Sequence, residues 1–171
     1  MSNPAPKVAP LARRRPSWAE LQLTDHTGAT VDVSELAGEA RLVIYFYPGT
    51  VCSFDDGHDS QALDAAQHRA FTAHHADFLA RNCVVLGVSS QPHEQQRAAA
   101  SDTDIEHLLV SDPELRFTRH FDLRTFTVDD LRWYCRSMMV LAGAVVHVFK
   151  TVGSPEGSPA QAIAWMRSQG I

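Results

Sequence analysis

Residues 41 to 47, RLVIYFY, form a nearly continuous apolar run that stops at Pro48. A run without polar alternation is typical of a central strand covered on both faces of a sheet. Residues 84 to 88, VVLGV, form a second such run, and the apolar spacing from residue 60 to about residue 81 is helical. Buried strands joined through helices predict a partly parallel sheet with right-handed crossovers.

Other segments extend this alternation. Residues 21 to 36 predict two short strands around a glycine-containing turn. Residues 108 to 110 predict a short strand, and the Asp-Pro pair that opens residues 112 to 120 predicts a helix. Residues 137 to 149 predict a hairpin around Ala-Gly-Ala. The predicted fold class is α/β, with a mixed central sheet flanked by helices and an N-terminal β-hairpin.

Composition limits the functional classes. The chain has 171 residues with 15 basic and 20 acidic side chains, a net charge of −5 that argues against nucleic-acid binding. We expect one domain over residues 18–171, after a disordered Pro/Ala-rich tail at residues 1–17.

No segment approaches the roughly 20 apolar residues of a membrane span. No secretory signal is recognisable at the N-terminus, so we expect a cytoplasmic protein that binds no membrane.

The three cysteines, Cys52, Cys83 and Cys135, cannot form a closed set of disulfides. In a reducing compartment such a count indicates either thiol chemistry or ordinary core cysteines. Cys83 opens an apolar strand, which favours a packing role, and packing is also the simpler interpretation for Cys135. Cys52 lies in the loop after Pro48 and is the candidate for a reactive thiol.

The order of the segments, with YFYP at the end of a buried strand, resembles the peroxiredoxins, the alkyl hydroperoxide reductase and thiol-specific antioxidant (AhpC/TSA) family. The similarity is greatest to their bacterioferritin-comigratory-protein branch. The matching pieces lie between residues 18 and 168 and are LTDHTGATVDVSELAG, RLVIYFYPGT, AHHADFLARNCVVLGVSSQ, LLVSDPEL and CRSMMVLAGAVVHVF. The resemblance implies a thioredoxin-like fold. It also implies an oxidoreductase whose thiolate attacks a hydroperoxide and is regenerated by a small thiol or a thioredoxin-like reductant.

The resemblance assigns roles to particular residues. Pro48 matches the proline of the active-site loop, and Arg136 matches the arginine that stabilises the thiolate and orients the peroxide. Thr50 would supply a supporting hydroxyl on the same loop. Pro48, His58 and Trp133 are the residues that we expect to contact the substrate.

The match breaks at the position of the peroxidatic cysteine. Counting back from Ser89 through an uninterrupted helix places Asp64 at that position. Counting forward from Pro48 places Cys52 at the family's Thr/Ser position and Asp55 at the cysteine position. The two counts disagree because the segment between residues 49 and 60 carries an insertion. Peroxide cannot oxidise aspartate, so the first count excludes ordinary peroxidase chemistry at Asp64.

Three functional hypotheses follow. The first is a thiol peroxidase that uses Cys52, with Arg136 and Thr50 in support. The second is a peroxiredoxin-fold enzyme without peroxidase activity, in which Asp64 and Arg136, with His58 or Cys52, do acid–base or orienting work on a small organic substrate, for example in biosynthesis. The third is a non-catalytic binding protein on the same fold. The first two share one expectation, namely that the Arg136 guanidinium faces a cavity shared with positions 52 and 64.

No cofactor or metal is expected. Residues 55 to 59 are rich in aspartate, but their spacing fits no calcium-binding loop. The expected partners are a small-molecule substrate, either a hydroperoxide or an organic metabolite, and a thiol or thioredoxin-like reductant. The sequence does not fix the oligomeric state, and a homodimer is the assembly that we consider.

Overall fold

The computed structural model of the chain describes residues 20–49, 60–143 and 145–171. Thr50, Cys52 and His58 lie outside the described residues, as does the whole of the tail at residues 1–17. The expectations for these residues, and for one domain over residues 18–171, therefore stay predictions.

A seven-stranded mixed sheet occupies the centre of the described chain, in the order β2-β1-β5-β4-β3-β8-β9. The strands are β1 (Gln22–Asp25), β2 (Thr30–Asp32), β3 (Arg41–Phe46), β4 (Cys83–Ser89), β5 (Leu108–Ser111), β8 (Ser137–Ala142) and β9 (Val145–Phe149). The β3–β4 and β4–β5 pairs are parallel, and the others are antiparallel. The predicted mixed sheet with an N-terminal hairpin is confirmed. Strands β6 (Thr125–Val128) and β7 (Leu131–Tyr134) form a separate two-stranded sheet.

Five α-helices complete the described elements. They are α1 (Val33–Glu39), α2 (Ser60–Ala73), α3 (His75–Leu79), α4 (His93–Thr103) and α5 (Ser158–Ser168). The helical pattern predicted up to about residue 81 is thus divided into α2 and α3 at His74. In the described part of the chain, no helix has the length and apolar character that crossing a bilayer requires.

Strand β3 is covered on both faces, as its unbroken apolar run predicts. Leu42, Ile44 and Phe46 belong to one buried cluster, and Val43 and Tyr45 belong to the other. Alternation along the strand sends neighbouring side chains to opposite faces. Tyr45 and, just beyond the strand, Tyr47 therefore share the face on which Phe71 of α2 packs.

The helix predicted for residues 112 to 120 is wrong in length. The structure contains only a short 3₁₀ helix at Arg116–Arg119. Leu115 adopts a left-handed backbone with φ of 50°, which interrupts any α-helix that starts at Pro113. The buried Asp112 carboxylate instead accepts hydrogen bonds from the backbone N–H groups of Arg116 and Phe117 at 2.9 and 3.2 Å.

Gly87 in β4 leaves room for the Tyr45 side chain. A Cβ atom at this position would overlap the Tyr45 hydroxyl and would lie 2.7 Å from Leu109 Cδ2. The close approach of Tyr45 to the neighbouring strand therefore requires a residue without a side chain.

We expect Gly87→Ala to lower the free energy of unfolding by about 1–3 kcal/mol, because the added methyl group must displace Tyr45 or Leu109. Urea denaturation measures the change. Gly153→Ala is the matched control, since a Cβ there meets no atom within 4 Å. Equal stability of the two variants would contradict the packing argument.

Candidate active site

Arg136 and Asp64 form a hydrogen-bonded ion pair in the interior. Arg136 Nη2 donates to Asp64 Oδ1 at 2.6 Å. The two side chains are only 15% and 7% exposed, so the guanidinium is turned inward. Arg136 was expected to face a cavity shared with positions 52 and 64. Its guanidinium does meet Asp64, whereas position 52 lies outside the described residues.

Gln67 holds the other end of the guanidinium. Arg136 Nη1 donates to Gln67 Oε1 at 2.6 Å. The Gln67 amide nitrogen in turn donates to Ser158 Oγ, at the start of α5, at 3.0 Å. Since Gln67 is fully buried, this second bond fixes which end of the amide faces Arg136.

The fold explains why these side chains meet. Arg136 directly precedes β8, whose first residue, Ser137, pairs with Phe46 at the end of β3. Asp64 and Gln67 are three positions apart on α2, and this spacing puts both on one helix face. The end of β3, the start of β8 and one face of α2 thus converge on the guanidinium.

A buried cluster of neutral polar groups lies on the same helix face. Tyr45 Oη is 2.7 Å from His68 Nδ1 and 2.7 Å from His107 Nε2. Burial lowers the pKa of His68 to about 3 and that of His107 to about 3, so both rings are neutral near pH 7. Burial also raises the pKa of Tyr45 far above its ordinary value, which keeps the phenol protonated.

A cavity of about 110 Å³ opens between α2 and α4. Its polar lining includes Tyr47, Asp64, His68 and Gln91. The rest of the lining is mixed: Ala65, Ala98 and Ala99 contribute methyl groups, and four more polar residues complete it, namely Gln61, Gln95, Asp102 and Thr103. Asp64 therefore lies between the Arg136 guanidinium and a space that a small molecule can occupy.

Of the predicted site residues that the structure describes, only Asp64 lines this cavity, and Arg136 lies behind it. Pro48 is buried two residues beyond β3, and Trp133 is buried on β7, but neither lines the cavity. Their contact with substrate stays a prediction, as do the roles of Thr50, Cys52 and His58. Sequence reasoning did not single out Tyr47, Gln67 or His68, although their spacing from Pro48 and Asp64 was an available signal.

The two described cysteines are poor nucleophiles. Burial raises the pKa of the Cys83 thiol to about 12 and also raises the pKa of Cys135. A protonated thiol is unreactive towards peroxides, because the thiolate is the nucleophile. The packing roles expected for both residues are consistent with these pKa shifts. In the described ranges, no group of three or more His, Cys, Asp or Glu side chains could hold a metal ion.

Residues 17–131, more than half of the chain, match the AhpC/TSA family. The protein belongs to this family, that of the peroxiredoxins. The predicted thioredoxin-like peroxiredoxin fold is thereby confirmed.

Solved peroxiredoxins have the same fold. A Xylella fastidiosa PrxQ mutant superimposes with a TM-score of 0.74 at 18% identity, covering 91% of this chain and 92% of that one. The bacterioferritin comigratory protein of Xanthomonas campestris gives 0.71 at 21% identity, with coverages of 90% and 94%. The peroxidoxin BcpB of Mycobacterium tuberculosis gives 0.68 at 18% identity, with coverages of 86% and 91%. None of the curated proteins matches the chain significantly.

We expect Asp64→Ala to lower the free energy of unfolding by about 3 kcal/mol, because it leaves the Arg136 cation buried without its anion. Asp77→Ala on α3 is the control. The Asp77 carboxylate lies 4.0 Å from Arg81 and is 56% exposed. Such a pair contributes less than about 1 kcal/mol. Urea denaturation of both variants compares the two, and equal losses would contradict the assignment of a buried pair.

Stability should also fall as the pH drops below about 6.5. His68 and His107 have a folded-state pKa of about 3, so the unfolded chain binds more protons between these two pH values. Their contribution is fully present above the unfolded pKa of about 6.5 and decreases below it. Two such groups should remove about 2 kcal/mol between pH 7 and pH 5.5.

Urea denaturation at several pH values measures this decrease. A His107→Gln variant should lose about half of the pH dependence, since one of the two titrating rings is gone. A free energy of unfolding that stays constant between pH 7 and pH 5.5 would show that the histidines are not buried as neutral rings.

Proposed function

We propose that this protein is a peroxiredoxin-fold enzyme that does not act as a thiol peroxidase. In this proposal the Asp64–Arg136 pair carries out acid–base or orienting work on a small organic substrate. The hydrogen bond of 2.6 Å between the two side chains is the observation that carries the proposal. It puts a carboxylate on the arginine that, in the family, supports the reactive thiolate.

Electrostatics supports this choice over thiol chemistry. A reactive cysteine needs a nearby positive charge that lowers the pKa of its thiol. The charge of Arg136 is compensated by Asp64, and its other terminal nitrogen donates to Gln67. A thiol that approached this guanidinium would therefore gain less stabilisation of its thiolate than one beside an unpaired arginine.

The pair has useful chemistry of its own. A carboxylate that lines a cavity can accept a proton from a substrate or orient its hydrogen-bond donors. The guanidinium balances the charge of the carboxylate and fixes its orientation through the 2.6 Å hydrogen bond. His68, one turn along α2 from Asp64, adds a neutral group on the same wall.

Thiol peroxidation through Cys52 is the second candidate, and one observation favours it. Gly49, three residues before Cys52, accepts a hydrogen bond from Ser60 Oγ at 3.3 Å. A Cβ at Gly49 would overlap Gln91, which lines the cavity. The two chain ends that flank the segment with Thr50, Cys52 and His58 thus meet beside this cavity. In a cytoplasmic setting, a thiol or thioredoxin-like reductant would regenerate Cys52.

Hydroperoxide consumption separates the two candidates. We expect the wild-type protein, given thiol reductant, to show no consumption that depends on Cys52, and a sulfenic-acid trap to leave Cys52 unlabelled after a peroxide pulse. Loss of peroxidase activity in Cys52→Ser, with activity retained in Asp64→Asn, would overturn the proposal in favour of the second candidate.

The proposed activity is measured as depletion of compounds from a small-molecule extract, followed by mass spectrometry. The wild-type protein and the Asp77→Asn control should deplete the same compound, while Asp64→Asn and Arg136→Ala should not. A compound that binds and raises the melting temperature without being consumed would instead indicate a binding protein.

A further inference from the structure

We propose that the cavity between α2 and α4 binds a small uncharged molecule with a hydroxyl or amide group, which hydrogen-bonds to His68 Nε2. This inference deepens the proposed function by naming a substrate class, and it rests on that proposal for the role of Asp64. Binding at His68 and turnover at Asp64 are separate measurements, so either can fail alone.

His68 is the observation that points to a ligand. Its side chain is 1% exposed and lines the cavity. Nδ1 is engaged by Tyr45, whereas Nε2 has no hydrogen-bond partner among the residues that the structure describes. Buried polar groups in folded proteins nearly always have a partner, because leaving one without costs free energy. The Nε2 edge of the ring, which faces away from Tyr45, is therefore a place for an external group.

The Tyr45 hydroxyl decides whether His68 donates or accepts. It has one proton for two histidine nitrogens, so it donates to one ring and accepts from the other. When it donates to His68 Nδ1, Nε2 carries the proton and is a donor. When it donates to His107, Nε2 of His68 is an acceptor. One rotation of the hydroxyl, with a change of tautomer, thus adapts the cavity to either type of ligand group.

The charges around the cavity favour an uncharged ligand in its depth. His68 is neutral, and the charge of Asp64 is already compensated by Arg136. A cation in the depth of the cavity would meet Asp64, whose charge Arg136 already compensates, while Asp102 lies on the exposed part of the lining, where water and salt screen its charge. An anion would meet Asp64 there, and Asp102 among the other lining residues. Burying an unpaired charge is far more costly than burying a hydrogen-bonded neutral group.

Size and wall composition narrow the class further. The volume of about 110 Å³ is several times the roughly 10–15 Å³ that a single water needs. The methyl groups of Ala65, Ala98 and Ala99 add aliphatic surface to the polar lining. A molecule of several heavy atoms, with a short aliphatic body and one polar end, matches both features.

Three probes of similar shape test the charge preference: propionamide, propionate and propylammonium. Their binding is followed through the ring ¹⁵N signals of His68 in long-range ¹H–¹⁵N spectra of the full chain, assigned with a His68→Gln variant. We expect propionamide to shift these signals in a saturable way. The two ions should bind at least about tenfold more weakly, because neither is compensated in the cavity.

Ala98→Leu places a larger side chain in the lining of the cavity, on an exposed part of α4, and leaves the His68 side chain itself unchanged. It should abolish the propionamide shift. Ala160→Leu, on the exposed face of α5 and outside the lining, should leave the shift unchanged. Circular dichroism confirms that both variants fold.

Three results would overturn the inference: no saturable shift with propionamide, ionic probes that bind as tightly as the amide, or binding that persists in Ala98→Leu. Saturable amide binding in a protein that also shows Cys52-dependent peroxide consumption would leave the binding site standing and remove the proposed function.

Discussion

The guanidinium of Arg136 lies in the interior, where a cation is tolerated only if it is hydrogen-bonded and neutralised. Asp64 supplies the negative charge, and Gln67 carries the network on to Ser158 at the start of α5. The position of α2 against the sheet is therefore tied to the residue that precedes β8. The sequence predicts Asp64 at the position of the family's peroxidatic thiolate, and the proposed function rests on that prediction.

The polar interior continues from the ion pair without further charge. Tyr45 joins two neutral histidines, and its approach to β4 depends on the absence of a side chain at Gly87. Charged and uncharged polar groups thus occupy adjacent turns of α2, at Asp64 and His68. Both side chains border one cavity. A ligand there would meet the Asp64 carboxylate and, on the same wall, the neutral His68 imidazole, which can donate or accept a hydrogen bond according to its tautomer.

The sequence predicted the sheet well, because the unbroken apolar runs of β3 and β4 have few other interpretations. Asp64 and Arg136 were found by position within a family pattern.

Other features depended on tertiary contacts that no local pattern encodes. Leu115 adopts a left-handed backbone that a leucine rarely favours. The helix predicted from the Asp112–Pro113 pair therefore does not form at its expected length. The β6–β7 hairpin turns at Asp129 and Asp130, both with positive φ, without the glycine that usually indicates such a turn. His68 was not singled out, although its spacing of four residues from Asp64 puts both side chains on one face of α2.

The strand order has a consequence for biosynthesis. β3, which ends at Phe46, lies between β4, which begins at Cys83, and β8, which begins much later in the chain at Ser137. During translation, the edge of β3 that pairs with β8 has no partner until β8 has been synthesised. Arg136, which directly precedes β8, is synthesised at the same stage. Asp64 is therefore synthesised well before its cation, and the ion pair can form only once Arg136 has left the ribosome.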